Sequence, residues 1–101
     1  MASDYIAELR DVIRRLHGAE PRHVESVRVK EVFQGRTVWE GIVEVFDLEN
    51  HPTAKRIYAW AHDTDDKRKR HVTVLHVAPV DSPRAAVRAA IVQEFRSAEE
   101  S

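Results

Sequence analysis

The feature that most constrains this fold is a pair of strand-like segments in the first half of the chain, joined at one glycine. Val24–Gln34 and Arg36–Leu48 are rich in Val, Phe, Trp and Ile, and Gly35 between them suits a tight hairpin turn. Two more segments of this type, Ala54–His62 and Arg70–Val77, follow after short polar connections. Short connections join antiparallel neighbours, so the four segments are predicted to form an antiparallel meander.

A helix is predicted on either side of these strands. Apolar residues between Tyr5 and Leu16 recur with helical spacing, and Gly18 follows where a left-handed residue would end the helix. Ser82-Pro83 is a start signal for the second helix, because serine caps and proline takes the first helical position. The tail from Ser97 is expected to be frayed. The predicted fold is therefore α+β, of order αββββα, in two layers.

Composition limits the classes of protein to consider. With 101 residues, of which 43% are apolar, the chain suits a single domain, 1–101, that has a core. It has no cysteine and no apolar run near the about 18 residues that a membrane span needs. The N-terminal residues lack the basic-then-apolar pattern of a secretory signal, so a cytoplasmic location without membrane contact is expected. A net charge of −1 argues against nucleic acid as the main partner.

Strand registers predict that the sheet carries more apolar surface than two helices can cover. If Phe33 opposes Thr37, Val27 opposes Val43; in the last hairpin, His62 is paired with His71. One face then lies under both helices. The other face is predicted to be a binding surface, and it holds Val38, Ile42, Phe46, Arg56, Tyr58, Trp60 and Leu75.

A sheet face in contact with water normally alternates to polar residues, and this one does not. An exposed apolar face with a polar rim is typical of an interface or a ligand site. Two alternatives stay open at this stage. A register error of one residue would exchange the faces, and helices on opposite faces would cover both.

Four polar side chains are candidates for a pocket: Glu40, His51, His62 and His71. His62 and His71, if cross-strand neighbours, could share a proton, since histidine titrates near neutral pH. Their spacing does not resemble a zinc-binding pattern, so neither a metal nor another cofactor is predicted. His51 precedes Pro52 in the longest loop and suits either a general base or a simple turn.

A basic tetrad in the last hairpin, Lys67, Arg68, Lys69 and Arg70, is the candidate for phosphate contact. The segment Ser82-Pro83-Arg84-Ala85-Ala86-Val87-Arg88-Ala89-Ala90 resembles the basic start of the second helix of double-stranded-RNA-binding domains. That resemblance implies that the basic hairpin tip would touch RNA phosphates.

A second resemblance covers most of the chain. The segments Val38-Trp39-Glu40-Gly41-Ile42-Val43-Glu44-Val45-Phe46-Asp47-Leu48, His51-Pro52-x-Ala54 and Tyr58-Ala59-Trp60 are similar to a group of small uncharacterised bacterial proteins. Pro79-Val80-x-Ser82-Pro83 fits the same group. The resemblance implies a bacterial protein and no particular activity.

Three functions follow from these patterns. The first is an interaction module that forms a homodimer or binds a partner through the aromatic sheet face. The second is a small enzyme or ligand-binding protein with a pocket that is lined by histidine, glutamate and Tyr58. The third is weak nucleic-acid binding through the basic tetrad.

Overall fold

The protein is built from one antiparallel sheet between two terminal helices. The computed structural model describes the backbone of residues 2–63 and 69–100 and the side chains of residues 5–62 and 70–93. The elements are α1 (Ala2–His17), β1 (Glu20–Phe33), β2 (Arg36–Glu49), β3 (Arg56–Asp63), β4 (Lys69–Leu75) and α2 (Pro83–Glu100). The strands lie in the order β1-β2-β3-β4, and all neighbouring pairs are antiparallel. The predicted α+β order, αββββα, is confirmed.

The first hairpin is long, and its central register is the one that the sequence predicts. Val27 lies opposite Val43. Near the turn, however, Phe33 pairs with Arg36 rather than with Thr37, and a register shift follows Glu31. The turn is therefore made by Gln34 and Gly35, both at positive φ, and the bulge restores the predicted pairing farther along the strands.

The last hairpin differs from its predicted register by one residue. His62 lies opposite Arg70, and His71 lies opposite Ala61. A shift of one residue moves every side chain of β4 to the other face of the sheet. Val72 and Val74 consequently share a face with the aromatic residues of β3.

The helices cover opposite faces of the sheet, so the sheet is the middle of three layers and not one of two. Leu9 and Ile13 of α1 belong to a core cluster with Ile57. Ala86 and Val87 of α2 belong to a second cluster that contains Tyr58 and Trp60. Ile57 and Tyr58 are consecutive in β3 and point to opposite faces, which places one helix on each side.

Local signals fix the ends of the helices. Gly18 has a φ of 64°, and its amide donates to the carbonyl oxygen of Arg14 at 2.9 Å, which ends α1. The amide of Ala85 donates to Ser82 Oγ at 3.1 Å, as expected of a helix cap. The second helix runs to Glu100, beyond Ser97, where the sequence predicted a frayed tail. Neither helix, over its described residues, is long and apolar enough to cross a bilayer.

Candidate functional site

The three aromatic residues of the predicted binding surface are buried. Phe46, Tyr58 and Trp60 are 0%, 1% and 2% exposed. Phe46 packs under α1, whereas Tyr58 and Trp60 pack under α2. The prediction that these aromatic residues share one exposed face is therefore wrong. Phe46 pairs with Ile57 rather than with Tyr58, so it lies on the other face of the sheet from Tyr58 and Trp60, and the two helices cover both faces.

The other four members of that predicted face lie in separate places. Val38 and Ile42 are 48% and 50% exposed, in the part of the β1–β2 hairpin farthest from the other strands. Arg56 Nε donates to Asp47 Oδ1 at 3.0 Å, and Leu75 packs against the core under α1. The seven residues consequently do not form one site.

The four predicted polar residues lie in three places. His51 Nδ1 accepts hydrogen bonds from the amides of Thr53 and Ala54, which makes it a turn residue. His71 Nε2 lies 2.9 Å from Glu8 Oε1 on the α1 side of the sheet. Glu40 and His62, by contrast, line the same cavity on the α2 side. The described residues contain no group of three acidic, histidine or cysteine side chains that could hold a metal.

The basic tetrad can be placed only in part. Lys67 and Arg68 lie outside the described residues, as does the side chain of Lys69. Arg70 lies opposite His62 in the sheet and lines a cavity of about 270 Å³ between β4 and α2.

The cavity that holds Glu40 and His62 lies where β2 and β3 stop pairing. The ladder between these strands joins only Glu44–Asp47 to Arg56–Ala59, although both strands continue beyond Glu44 and Ala59 toward the cavity. A cavity of about 330 Å³ lies beyond the last pair, under α2. We call it the tryptophan cavity, and its lining residues are Trp39, Glu40, Trp60, His62, Val72, Val87, Ala90 and Ile91.

The two tryptophans form one wall of this cavity. Their ring centroids are 5.5 Å apart, with an interplanar angle of 64°, which is a favourable edge-to-face arrangement. Trp39 can lie along β2 because residue 41 is glycine. A Cβ atom at Gly41 would lie 3.1 Å from Trp39 Cη2, closer than an ordinary contact.

The polar groups of the cavity are few. Trp60 Nε1 is buried and has no hydrogen-bond partner among the described residues. The indole N–H can only donate, and leaving it unpaired in the interior costs about 1–3 kcal/mol. Glu40 Oε2 accepts from Arg28 Nη2 at 3.1 Å, with the Arg28 side chain exposed to solvent. The lining is thus mostly apolar, and its titratable groups are the Glu40 carboxylate and the His62 imidazole.

Tyr58, a candidate pocket residue, already has a partner. Its hydroxyl lies 2.5 Å from His76 Nδ1. Burial raises the pKa of Tyr58, so the phenol stays protonated at neutral pH. It is a core residue with a satisfied hydroxyl, and it does not line the tryptophan cavity.

A polar cluster on the α1 side resembles a catalytic triad in composition only. His23 Nε2 lies 2.9 Å from Glu44 Oε1, and Ser26 Oγ donates to the same oxygen. In a triad the histidine would contact the serine and activate it. Here the histidine and the serine both contact the carboxylate of Glu44. This carboxylate is buried and therefore needs hydrogen-bond partners in the interior.

Sequence reasoning found Glu40, Trp60 and His62 but missed the residues that join them into a site. Trp39 was not among the predicted site residues, and Gly41 two residues later was the signal that its ring lies along the strand. Val87, Ala90 and Ile91 belong to the second predicted helix, which was expected to cover the other face of the sheet. The surface under this helix could be identified only after the strand registers were known.

No family model matches this chain, and no curated protein or solved structure matches it significantly.

Proposed function

We propose that this protein binds a small organic molecule non-covalently in the tryptophan cavity. Ligand sites are typically concave and mostly apolar, with a few placed polar groups, and have volumes from about 300 Å³ upward. At about 330 Å³ the tryptophan cavity lies at the lower end of that range. Six of its eight lining residues are apolar or aromatic, which favours burial of an apolar body.

The single observation that carries the proposal is the pair of tryptophan rings, Trp39 and Trp60, that are held edge-to-face beside an apolar cavity. Aromatic rings gain favourable contacts from further offset-stacked or edge-to-face partners. A small aromatic molecule in the tryptophan cavity would gain such contacts and would bury its apolar surface against the aliphatic lining residues.

Binding is favoured over catalysis by the chemistry of the lining. Glu40 and His62 are the titratable groups among the described lining residues, and no serine, cysteine or lysine accompanies them. Nucleophilic catalysis needs an activated hydroxyl, thiol or amine beside its base. The carboxylate of Glu40 is also already engaged by Arg28.

The test is a titration with benzamide followed by tryptophan fluorescence. The chain contains two tryptophans, and both line the cavity, so all of the tryptophan emission reports on this site. We expect a saturable change in emission, with a dissociation constant in the millimolar range or tighter for this fragment. The control is Ala90→Leu, which places a larger side chain in the cavity and should abolish the change. An emission spectrum that is unaffected by benzamide would contradict the proposal.

A second candidate function, association of two copies, is favoured by the outer part of the β1–β2 hairpin. Val32, Phe33, Val38 and Ile42 are all exposed there. The β2–β3 ladder ends at Glu44, so β2 has an open edge toward its turn. If two copies paired these edges with Val38 opposite its counterpart, Arg36 of each would lie opposite Glu40 of the other, and these charges are complementary.

Sedimentation over a range of protein concentrations tests this association. We expect a dimer that Arg36→Glu weakens, because the substitution puts like charges opposite each other. The control is Arg22→Glu, which makes the same change of charge at the other end of the β1–β2 hairpin. It should leave the dimer intact. A wild-type protein that remains monomeric at the highest concentration would contradict association.

A further inference from the structure

One end of the tryptophan cavity lies beside the open edge of β2. Trp39 and Glu40 form this end, and the Glu40 side chain is 43% exposed, so the cavity meets solvent here. The β2–β3 ladder ends at Glu44; continued in the same register, it would place Asp63, the last residue of β3, beside Glu40. Residues 36–39 of β2 therefore extend past the end of β3, and a further strand can pair with them.

A second copy of β2 matches this open edge in length. With Val38 opposite its counterpart, an antiparallel pair brings residue 40 of one copy opposite residue 36 of the other, and residue 42 opposite residue 34. The hairpin turn that begins at Gln34 of one copy then falls beside Ile42 of the other. The pairing stops before Glu44, where β3 begins to occupy the edge of β2.

The side chains along this edge complement each other in a pair of copies. Val38 is exposed in the single chain and would pack against its counterpart. The partner's Arg36 would lie opposite Glu40, whose carboxylate accepts from Arg28 at 3.1 Å. A second cation beside Glu40 adds attraction without placing like charges opposite each other.

The same pairing brings another wall to the tryptophan cavity. The partner's Thr37 would lie opposite Trp39, and directly opposite residues of antiparallel strands have Cβ atoms about 5 Å apart on one face. The ring of Trp39 lies along β2 over Gly41 and contacts Trp60 inside the cavity. The partner strand consequently reaches the cavity from the side on which β2 and β3 separate.

We infer that a second copy of this chain completes the tryptophan cavity, with the partner's Arg36 and Thr37 beside Glu40 and Trp39. This inference rests on both proposed functions and joins them. The dimer covers part of the bound molecule that the single chain leaves in contact with water. Ligand binding and dimerisation then strengthen each other, because the coupling between two binding equilibria is reciprocal.

The test is a benzamide titration, followed by tryptophan fluorescence, at protein concentrations below and above the dissociation constant of the dimer. Benzamide should bind at least about threefold tighter to the dimer, because the partner removes more of its apolar surface from water. Each dimer has two cavities. Saturating benzamide should therefore tighten the dimer by the square of that factor, about tenfold, as measured by sedimentation.

The variant Arg36→Glu assigns the effect to the partner. Arg36 is not among the residues that line the cavity of its own chain. Below the concentration range of the dimer, the variant should bind benzamide as the wild type does. Above that range it should keep this weaker affinity, whereas the wild type binds more tightly. Arg22→Glu, the matched change of charge, should behave as the wild type at both concentrations.

The outcomes separate this inference from the proposed functions. If the wild type dimerises and binds benzamide with one affinity at all protein concentrations, the inference is overturned and both proposed functions stand. A loss of affinity in Arg36→Glu below the range of the dimer also overturns it, because such a loss does not come through the partner. A wild type that stays monomeric refutes association and this inference, while benzamide binding to that monomer still supports the cavity. If benzamide binds at no concentration, the proposed ligand site fails and the inference fails with it.

Discussion

At the scale of single residues, the site depends on a glycine that makes room for a ring. Trp39 lies over Gly41 and reaches Trp60, so one missing side chain on β2 allows the aromatic wall of the cavity to form. The sequence alone identified Trp60 as important and placed it on an exposed face. That error came from the apolar run Ile57–Ala61, in which both alternating sets of side chains are apolar or small. Such a run does not tell which set faces which layer.

The substitution Gly41→Ala tests the close approach of Trp39. The new Cβ would lie 3.1 Å from Trp39 Cη2, so the ring must move by a few tenths of an ångström. We expect a shifted tryptophan emission maximum and benzamide binding weakened about threefold or more, with small loss of stability. Ser26→Ala, on the α1 side of the sheet, should leave the emission and the binding unchanged. A Gly41→Ala protein with wild-type emission and affinity would show that Trp39 does not depend on this contact.

A pH effect on stability is expected from His17. Burial, and then the neighbouring His51, lowers the pKa of His17 below its ordinary value of 6.5. The folded protein therefore binds a proton at His17 less readily than the unfolded chain does. The resulting stability is complete above about pH 6.5 and is lost as the pH falls from there through the lower pKa of the folded state.

Denaturant unfolding of the wild type and of His17→Gln, from about pH 8 to about pH 5, measures this contribution. Glutamine can keep the contact with Thr73 Oγ1, which lies 2.9 Å from His17 Nε2, and it does not titrate. The variant should lose less stability than the wild type over the acidic half of that range. Parallel curves for the two proteins would contradict the assignment to His17.

At the scale of secondary structure elements, α2 determines the volume of the cavity. The helix meets the sheet through small residues, with Ala86 and Val87 fully buried and Ala90 beside the cavity. Its start at Ser82-Pro83 could be predicted, because a cap and a first-turn proline are local signals. The register of β3 with β4 could not be predicted, because the sequence between the two strands has no Asn-Gly, Asp-Gly or similar pair that would indicate a short hairpin turn. The β1–β2 register was predicted over most of its length since Gly35 fixes the position of the turn.

Loss of the cap should weaken α2. Ser82 Oγ accepts from the Ala85 amide at 3.1 Å, so Ser82→Ala leaves that amide without its partner. We expect the free energy of unfolding to fall by about 1 kcal/mol. Ser82→Asp supplies another capping oxygen and should retain most of the stability. Chemical denaturation that finds Ser82→Ala as stable as the wild type would show that the cap does not hold the helix.

At the scale of the whole molecule, two helices on opposite faces account for a sheet that is apolar on both sides. The sequence indicated that both faces are apolar, but it combined residues of the two faces, because Phe46 pairs with Ile57 and lies on the α1 side, whereas Tyr58 and Trp60 lie on the α2 side. The structure covers one face with α1 and the other with α2, and the apolar residues Val32, Phe33, Val38 and Ile42 of the outer hairpin stay exposed. Which face a terminal helix covers depends on a connection after β4 that is long enough to reach either side. No local residue pattern encodes which face α2 covers. The position of α2 on this face forms one wall of the tryptophan cavity.

The central claim is that the tryptophan cavity binds a small aromatic molecule beside Trp39 and Trp60, and nitrogen–proton NMR of the ¹⁵N-labelled protein tests it most directly. Trp39→Phe assigns the two indole signals. We predict that both indole signals of the wild-type protein shift in a saturable manner as benzamide is added, and that these shifts are lost in Ala90→Leu. Indole signals that benzamide does not move, or that it moves equally in Ala90→Leu, would contradict the account.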